Sequence, residues 1–348
     1  MSGKIVLVTG GAGYLGSLIV EQLLERGYGV RVYDKMYYGD QGITAVKDRV
    51  EVIQEDLRDF TPKVLDGVYA VIHQAGLSND PTANFNPRAN YSMNTVATEI
   101  LAKACKEWGV QRLTFASSGS LYDAGLTAED VLKDENTPIN PLKPYSLSNF
   151  EAERILFHLR DDHFKPVCLR HATVYGHSPR MRFDLVVNTF IKDALTKGEI
   201  TVHNGGEMWR PLVDASDVAR AHIACIEAPV EKVDGQVFNL VYRNYRVLEL
   251  AHFVVDRLKQ RGKHANIRVE YSDRPNRSYR ISGEKIRNVL GFEPQVSVQQ
   301  AIDEVLSHIL DQNGNLIANI THPRHYNIEW MTMLHEAETL IKNTGSVY

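Results

Sequence analysis

The chain alternates between two kinds of apolar pattern. Residues 5–8 (IVLV) form an unbroken run rich in β-branched side chains, which suits a parallel strand covered on both faces. Residues 17–26 follow with apolar positions at helical spacing and stop at Gly27. The strand pattern returns at 29–33, 50–53, 70–73, 111–116 and 167–170, and long helical stretches fall at 90–108 and 145–159. Strands that alternate regularly with helices predict an α/β architecture built on a doubly wound parallel sheet. Beyond about residue 174 the character changes: loops lengthen at 177–183, 203–211 and 273–279, arginines cluster, and apolar strand runs thin out. This predicts a sheet domain over residues 1–173 and a smaller C-terminal substrate lobe over 174–348. One more strand at 236–240 predicts that the two interleave.

Composition narrows the class without naming a chemistry. Hydrophobic residues make up 43% and charged residues 24%, as in an ordinary globular chain, and a net charge of −4 offers no basic surface for nucleic acid. Cys105, Cys168 and Cys225 stand far apart, which predicts neither a disulfide framework nor a zinc site and fits a reducing compartment. The 13 histidines show no metal-binding spacing, so no metal is expected. The first strand begins near the N-terminus and no apolar run approaches membrane length. A cytoplasmic protein without signal peptide or membrane partner is therefore expected.

The turn after the first strand, Thr9-Gly10-Gly11-Ala12-Gly13-Tyr14-Leu15-Gly16, changes the picture more. Gly10 suits a tight exit from the strand, Gly13 a close approach of phosphate, and Gly16 close packing of helix on sheet. Free N–H groups at the helix start, at Tyr14 and Leu15, then bind a pyrophosphate. A glycine-rich turn alone is common, but here the second strand delivers Asp34 to its tip, 18 residues past Gly16. A carboxylate there accepts both ribose hydroxyls of an adenosine and repels a 2′-phosphate. Strand, turn, helix, strand and acid in this order predict a Rossmann-type domain for NAD in preference to NADP, with Lys35 beside the ribose. Asp56 and Leu57 end the third strand, where they either bracket an adenine or simply cap the next short helix. Gln74-Ala75-Gly76 closes the fourth strand and lets the chain pass close to a ribose. Strand five runs into Ser117-Ser118-Gly119-Ser120-Leu121-Tyr122, and Pro144-Tyr145-Ser146-Leu147-Ser148-Asn149 opens a helix with Tyr145 and Asn149 on one face. A serine and a tyrosine converging on a nicotinamide can manage a substrate hydroxyl while hydride leaves its carbon.

Over nearly its whole length the chain resembles an extended short-chain dehydrogenase/reductase of the nucleotide-sugar epimerase/dehydratase family, UDP-glucose 4-epimerase-like. The resemblance is carried by TGGAGYLG (9–16), Asp34, Asp56-Leu57, HQAG (73–76), the helix of Asn94, SSGSLY (117–122), PYSLSN (144–149), LRHATVYG (169–176), SPRMRFD (178–184) and RPNRSYRIS (274–282). It implies that Ser118 polarises a sugar hydroxyl, that Tyr145 takes its proton, and that Asn94, Ser117 and His171 lie at the cofactor. It also implies a homodimer paired through the helices at 90–108 and 145–159. His171 and Thr173 stand where the family often has an aromatic residue and an asparagine beside nicotinamide and substrate. Gly119 and Ser120 stand where the dehydratases and decarboxylases carry acids. The implied chemistry is therefore oxidation and reduction at one carbon, C4, by an epimerase or a simple dehydrogenase.

One position departs from the family: the lysine four residues after the tyrosine is Asn149. A free tyrosine has a pKa of about 10, so poising it near 7 takes roughly 4 kcal/mol. A lysine ammonium at ~4–5 Å in an effective dielectric of ~20 supplies most of that, and a neutral amide does not. Asn149 can still hold the nicotinamide ribose, leaving the positive nicotinamide ring or Lys143 to supply charge.

For the substrate, Arg182, Asn188, Arg210, Arg274 and Arg277 fall in loops of the second lobe and read as a clamp for a diphosphate, since guanidinium forks match phosphate oxygens in pairs. Ser78 and Asn79 are either sugar contacts or a simple turn. The expected substrate is a nucleotide-diphosphate sugar. Two alternatives stay open: an oxidoreductase of a non-nucleotide alcohol or ketone, which has no use for the clamp, and a catalytically inactive dinucleotide-sensing protein, for which Asn149 argues.

Overall fold

The computed structural model describes residues 3–122, 131–271 and 278–344. Its centre is a parallel sheet of seven strands. The first five are β1 (Ile5–Thr9), β2 (Gly29–Tyr33), β3 (Glu51–Ile53), β4 (Val68–His73) and β5 (Arg112–Ser118). A short β6 (Leu132–Lys133) lies outside the sheet, which is completed by β7 (Lys165–His171) and β11 (Val237–Leu240) in the order β11-β7-β5-β4-β1-β2-β3. Alternate residues of β1 enter different cores: Leu7 packs with Val71, Leu113, Leu101 and Leu156 on one face, and Val6 and Val8 pack with Ile72, Ile19 and Ile223 on the other. A strand covered on both faces has to be apolar throughout, which is why this one reads as a continuous run. Strand order reverses at β1, where β2 and β4 leave in opposite directions, and ligands of such sheets bind in the crevice beyond the carboxyl ends at that point.

Two helices differ from their sequence patterns. The first, α1 (Tyr14–Glu25), starts three residues earlier than the apolar spacing indicates, because Gly13 serves as its N-cap. The stretch expected as one helix at 90–108 is divided. After α2 (Asp80–Phe85) come α3 (Pro87–Tyr91), a π-helical turn at Ser92–Val96, and α4 (Ala97–Glu107). The widened turn carries Asn94 toward the crevice, and such bulges are frequent at functional sites. The following helix, α5 (Pro144–Leu159), begins with proline in its first turn, where the missing N–H costs nothing.

Past β7 the chain builds smaller units from β8 (Thr173–Tyr175), β9 (Glu199–His203), β10 (Trp209–Asp214), β12 (Arg243–Arg246) and β13 (Asn266–Glu270). A separate apolar core that includes Ile191, Leu250, Val254, Val305 and Leu306 supports them. Between them β11 returns to pair in parallel with β7. The helix Asn327–Thr344 comes last. Among the described residues, no helix is long and apolar enough to cross a membrane.

Candidate active site

The carboxyl ends of the central strands open onto one cavity of about 440 Å³. All the residues expected at a dinucleotide line it, from Gly10 and Asp34 to Asn149 and His171. At its floor is the glycine-rich turn. Gly10 has φ +69°, and a Cβ there would sit 2.8 Å from the Ala75 nitrogen. A Cβ on Gly16 would lie 2.0 Å from the Gly10 carbonyl oxygen. No side chain caps α1 at Gly13, so the N–H groups of its first turn are left for another partner. The Tyr14 phenol, by contrast, is buried and donates to the Gly176 carbonyl at 2.8 Å, which leaves its backbone to face the cavity.

Asp34 sits at the tip of β2. Its carboxylate accepts from Met36 N–H at 2.7 Å and Ala12 N–H at 3.0 Å, which ties the acid to the turn. Burial pushes its pKa up despite those two donors. An uncapped helix start beside a fixed carboxylate is chemically suited to a pyrophosphate and a ribose diol. Asp56 is engaged differently: its carboxylate accepts from the Arg58 side chain at 2.9 and 2.6 Å and from Arg58 N–H at 3.0 Å, as a cap of the next turn. Those bonds hold its pKa below the carboxylate range. Asp56 therefore performs the capping role, while buried Leu57 presents an apolar wall. Asn94 accepts from Leu77 N–H at 2.7 Å and donates to Leu77 O at 3.0 Å, so it fixes the loop after β4 while lining the cavity.

Ser118 ends β5 and Tyr145 lies in the first turn of α5, both on the cavity wall. Burial raises the Tyr145 pKa, and the Ser118 hydroxyl, the Arg182 charge and the Asn149 amide pull against it, while the Asp80 charge raises it further. Asn149 donates to the Tyr145 carbonyl at 2.9 Å, so its amide is partly spent within its own helix. Neighbouring Ser117 donates to buried Glu153, which forms a paired set of hydrogen bonds with Arg170 at 2.9 and 2.7 Å. His171 shares a proton with His222 at 2.9 Å, and burial pushes it down to about 3, so it is a neutral imidazole.

Those residues of the expected diphosphate clamp that are described take different places. Asn188 is fully buried and donates to the Arg182 carbonyl at 2.8 Å, so it braces that loop and does not line the cavity. Arg210 does not line it either and donates to the Trp209 carbonyl at 2.9 Å. Arg182 does line it, but its guanidinium is already held by Asp184 at 2.9 Å through Nε and Nη2 and by Ser78 at 3.1 Å through Nη1. Arg274 and Arg277 lie outside the described residues. Thr173 and Ser78 line the cavity as expected.

Three contributors carry no sequence signal of their own. Arg180 stacks on the Tyr38 ring at 3.9 Å and donates to Asn327 at 2.8 Å. Asn327 in turn donates to Ser78 at 2.9 Å, and Tyr279 closes one side. Arg180 and Tyr279 lie within the SPRMRFD and RPNRSYRIS stretches that carry the family resemblance, where neither is singled out. Asn327 comes from a distant helix and shows itself only in the fold.

The chain matches the model of the NAD dependent epimerase/dehydratase family over residues 6–240. The putative UDP-glucose 4-epimerase of Methanocaldococcus jannaschii is 28% identical over 319 residues, covering 89% of this chain and 99% of that protein. The UDP-glucose 4-epimerase of Lactobacillus helveticus is 28% identical over 333 residues, covering 87% and 94%. Among solved structures, the Thermus thermophilus UDP-glucose 4-epimerase complex with NAD is 26% identical with a TM-score of 0.73, over 86% of this chain and 98% of that one.

Proposed function

Because this chain belongs to the NAD-dependent epimerase/dehydratase family, we propose that it inverts C4 of a nucleotide-diphosphate sugar by oxidation to the ketone and reduction from the opposite face. A bound NAD would supply the hydride chemistry of this cavity. Gly10, Gly13 and Gly16, with the N–H groups of Tyr14 and Leu15, would hold its pyrophosphate. Asp34 would take the adenosine ribose with Lys35 beside it, and Leu57 would cover the adenine. Gln74, Ala75, Gly76 and Asn149 would take the nicotinamide half.

The observation that carries the reading is the placement of Ser118 and Tyr145 on the same cavity as the glycine-rich turn and Asp34, with no acid at positions 119 and 120. Ser118 orients the sugar hydroxyl and Tyr145 takes its proton as hydride departs, then returns it on reduction. A Cβ at Gly119 would lie 3.1 Å from the His171 carbonyl, so a carboxylate has little room there. Elimination chemistry, which needs a second acid–base pair, is thereby disfavoured. The names of the two curated relatives support the same substrate class. Thr173 and Ser78 are assigned to the sugar, and Arg274 and Arg277 to its diphosphate.

We also assign a homodimer, supported by exposed Tyr91, Val96 and Leu147 on α3, the π turn and α5. A cytoplasmic setting is supported by three unpaired, buried cysteines. Turnover of nucleotide sugars by wild type, Tyr145→Phe and Ser118→Ala tests the roles: both substitutions should abolish it, and unchanged activity in both would overturn the assignment. The rival reading, a sensor that binds NAD and turns nothing over, is favoured by Asn149 alone. It would be established by NAD binding without conversion of any sugar.

A further inference from the structure

The direction of each hydrogen bond around Ser78 follows from groups that can act in one sense only. A guanidinium has N–H donors and no acceptor. Arg180 Nη2 donates to Asn327 Oδ1 at 2.8 Å, so the amide nitrogen of Asn327 has to serve another partner. That nitrogen donates to Ser78 Oγ at 2.9 Å. Arg182 Nη1 donates to the same oxygen at 3.1 Å. A hydroxyl oxygen has two lone pairs, and both are occupied here. What Ser78 keeps is its proton, and among the described residues no hydrogen bond uses it.

The acceptors of this cluster are taken as well. Asp184 accepts from Arg182 Nε and Nη2, each at 2.9 Å, from Asn327 N–H at 3.2 Å and from Asn79 Nδ2 at 3.3 Å. Asn327 Oδ1 is held by Arg180. Of the five N–H groups on Arg182, three are engaged, and Arg182 lines the cavity together with Ser78 and Asn327. To a ligand, the cluster offers donors only.

Its place in the fold is beside the reacting groups. Leu77, just before Ser78, donates through its N–H to Asn94 Oδ1 at 2.7 Å, and Asn94 Nδ2 donates to Ser148 Oγ at 3.3 Å. Asn90 donates to the same serine oxygen at 2.9 Å and to the Pro144 carbonyl at 3.1 Å. Asp80, two residues after Ser78, has its carboxylate 3.7 Å from Lys143 Nζ. The loop of Ser78 is thus tied to the start of α5, which carries Tyr145, and the strands that lead to Ser78 and Ser118, β4 and β5, are neighbours in the sheet. In a hexose, C6 is two bonds from C4, so a group held beside Tyr145 and Ser118 is in reach of it.

We propose that Ser78 is a specificity-determining donor, oriented by Asn327 and Arg182, and that it selects a nucleotide-diphosphate sugar acid, with a carboxylate at C6, over the neutral hexose. The inference rests on the C4 reading above and deepens it by naming the substrate class. A carboxylate accepts at every lone pair and suits a cluster of donors, one of them cationic. A hydroxymethyl group brings a proton for which this cluster has no acceptor, and an unpaired polar group is what makes a site reject the wrong ligand. Asn327 acts through Ser78, so it is a positioning residue. A diphosphate is acceptor-only too; the tie to α5 favours the sugar end, and the assay separates the two.

The experiment compares UDP-glucuronate with UDP-glucose on the NAD-loaded protein, by kcat/KM for inversion at C4 and by calorimetric Kd. Wild type should favour the acid by about ten- to a hundredfold, the worth of one charge-assisted hydrogen bond. Ser78→Ala should bring the ratio of acid to neutral close to one. Asn327→Asp keeps an oxygen for Arg180 but turns a second acceptor toward Ser78, which then spends its proton inside the cluster, and the ratio should fall here too. The two changes together should lower it by less than the product of their separate effects, because there is one hydroxyl proton to lose. UDP-glucuronate left unbound, a wild-type ratio at or below one, or a multiplicative double variant would overturn the proposal. So would an unchanged ratio in Ser78→Ala with both ligands weakened alike, which assigns the donor to the diphosphate they share. Should Ser78→Ala fail to fold, Asn327→Asp decides: a fallen ratio supports the proposal and an unchanged one refutes it. Acid-selective binding that depends on Ser78 while neither sugar is inverted would keep the proposal and remove the epimerase reading. Inversion of UDP-glucose with no preference for the acid would do the reverse.

Discussion

Replacing Gly16 with alanine strikes the turn that the whole site is built on. The added Cβ would sit 2.0 Å from the Gly10 oxygen, 2.7 Å from Gly11 Cα and 2.8 Å from the Gly10 carbonyl carbon. Real Cβ contacts essentially never fall under 3.0 Å, so the start of α1 must move by about 1 Å. The obstructing atoms are backbone on every side and cannot rotate away. Overpacking of this kind costs about 1–3 kcal/mol, and the upper end applies here. Alanine's better helix propensity returns at most about 1 kcal/mol, leaving a net loss of roughly 2 kcal/mol and a melting point lower by a few degrees. Cofactor affinity should suffer more. A charge-assisted hydrogen bond is worth about 1.5–3 kcal/mol, so displacing one N–H from the pyrophosphate weakens NAD by roughly ten- to a hundredfold. Calorimetric titration with NAD, alongside thermal melting, measures both. Gly27→Ala is the control. That residue has φ +78° and open space around its Cβ position, so alanine should cost stability through backbone strain while leaving NAD affinity unchanged. Wild-type NAD affinity in Gly16→Ala, or equal weakening in Gly27→Ala, would refute the reasoning.

Other perturbations follow from the same geometry. Tyr145→Phe should lower turnover by at least about a hundredfold while NAD binds as before, and retained turnover in a rapid-quench assay would exclude the proton-transfer role. Asn149→Lys places an ammonium beside Tyr145 and should move the lower limb of the pH profile of kcat/KM down by about one unit or more; a profile at the wild-type position would contradict that. His73 and His171 are pushed by burial from 6.5 to about 3, so the folded state binds fewer protons than the unfolded chain. Their stabilising contribution is full above pH 6.5 and is lost as pH falls toward 3, at about 1.4 kcal/mol per pH unit for each histidine. Melting temperatures between pH 7 and pH 4 should drop accordingly, and a flat profile would count against neutral, buried imidazoles. Leu147→Glu, on the exposed face of α5, should yield monomers in sedimentation velocity, and an unchanged species would remove that face from the dimer.

The parts of the molecule legible in sequence are those where local chemistry and local geometry coincide. The β1 turn is one, because glycines at 10, 13 and 16 answer contacts made within a few residues. Asp34 is another, since its position at a strand tip follows from strand length alone. Arg182 and Asn188 were harder. Which partner holds a guanidinium or an amide depends on how residues 176–188 fold: Asn188 sits in a helix and braces the segment before it, while Arg182 lines the cavity with Asp184 and Ser78 on its guanidinium. At Asp56 sequence left adenine contact and helix capping open, and the fold shows the capping bond together with Arg58 on the carboxylate. Asn327 has no local pattern to announce it, because it enters the cavity from a helix at the far end of the chain. The π turn at Ser92–Val96 was hidden for a different reason: its apolar spacing is continuous with the helices on either side.

The most direct test is to incubate the NAD-loaded protein with nucleotide-diphosphate sugars and follow product identity and reduced-nicotinamide absorbance in the same sample. Inversion at C4 with no net NADH is the predicted result. Stoichiometric NADH with a released keto sugar would make the protein a dehydrogenase. NAD bound while every sugar stays unchanged would contradict the account altogether.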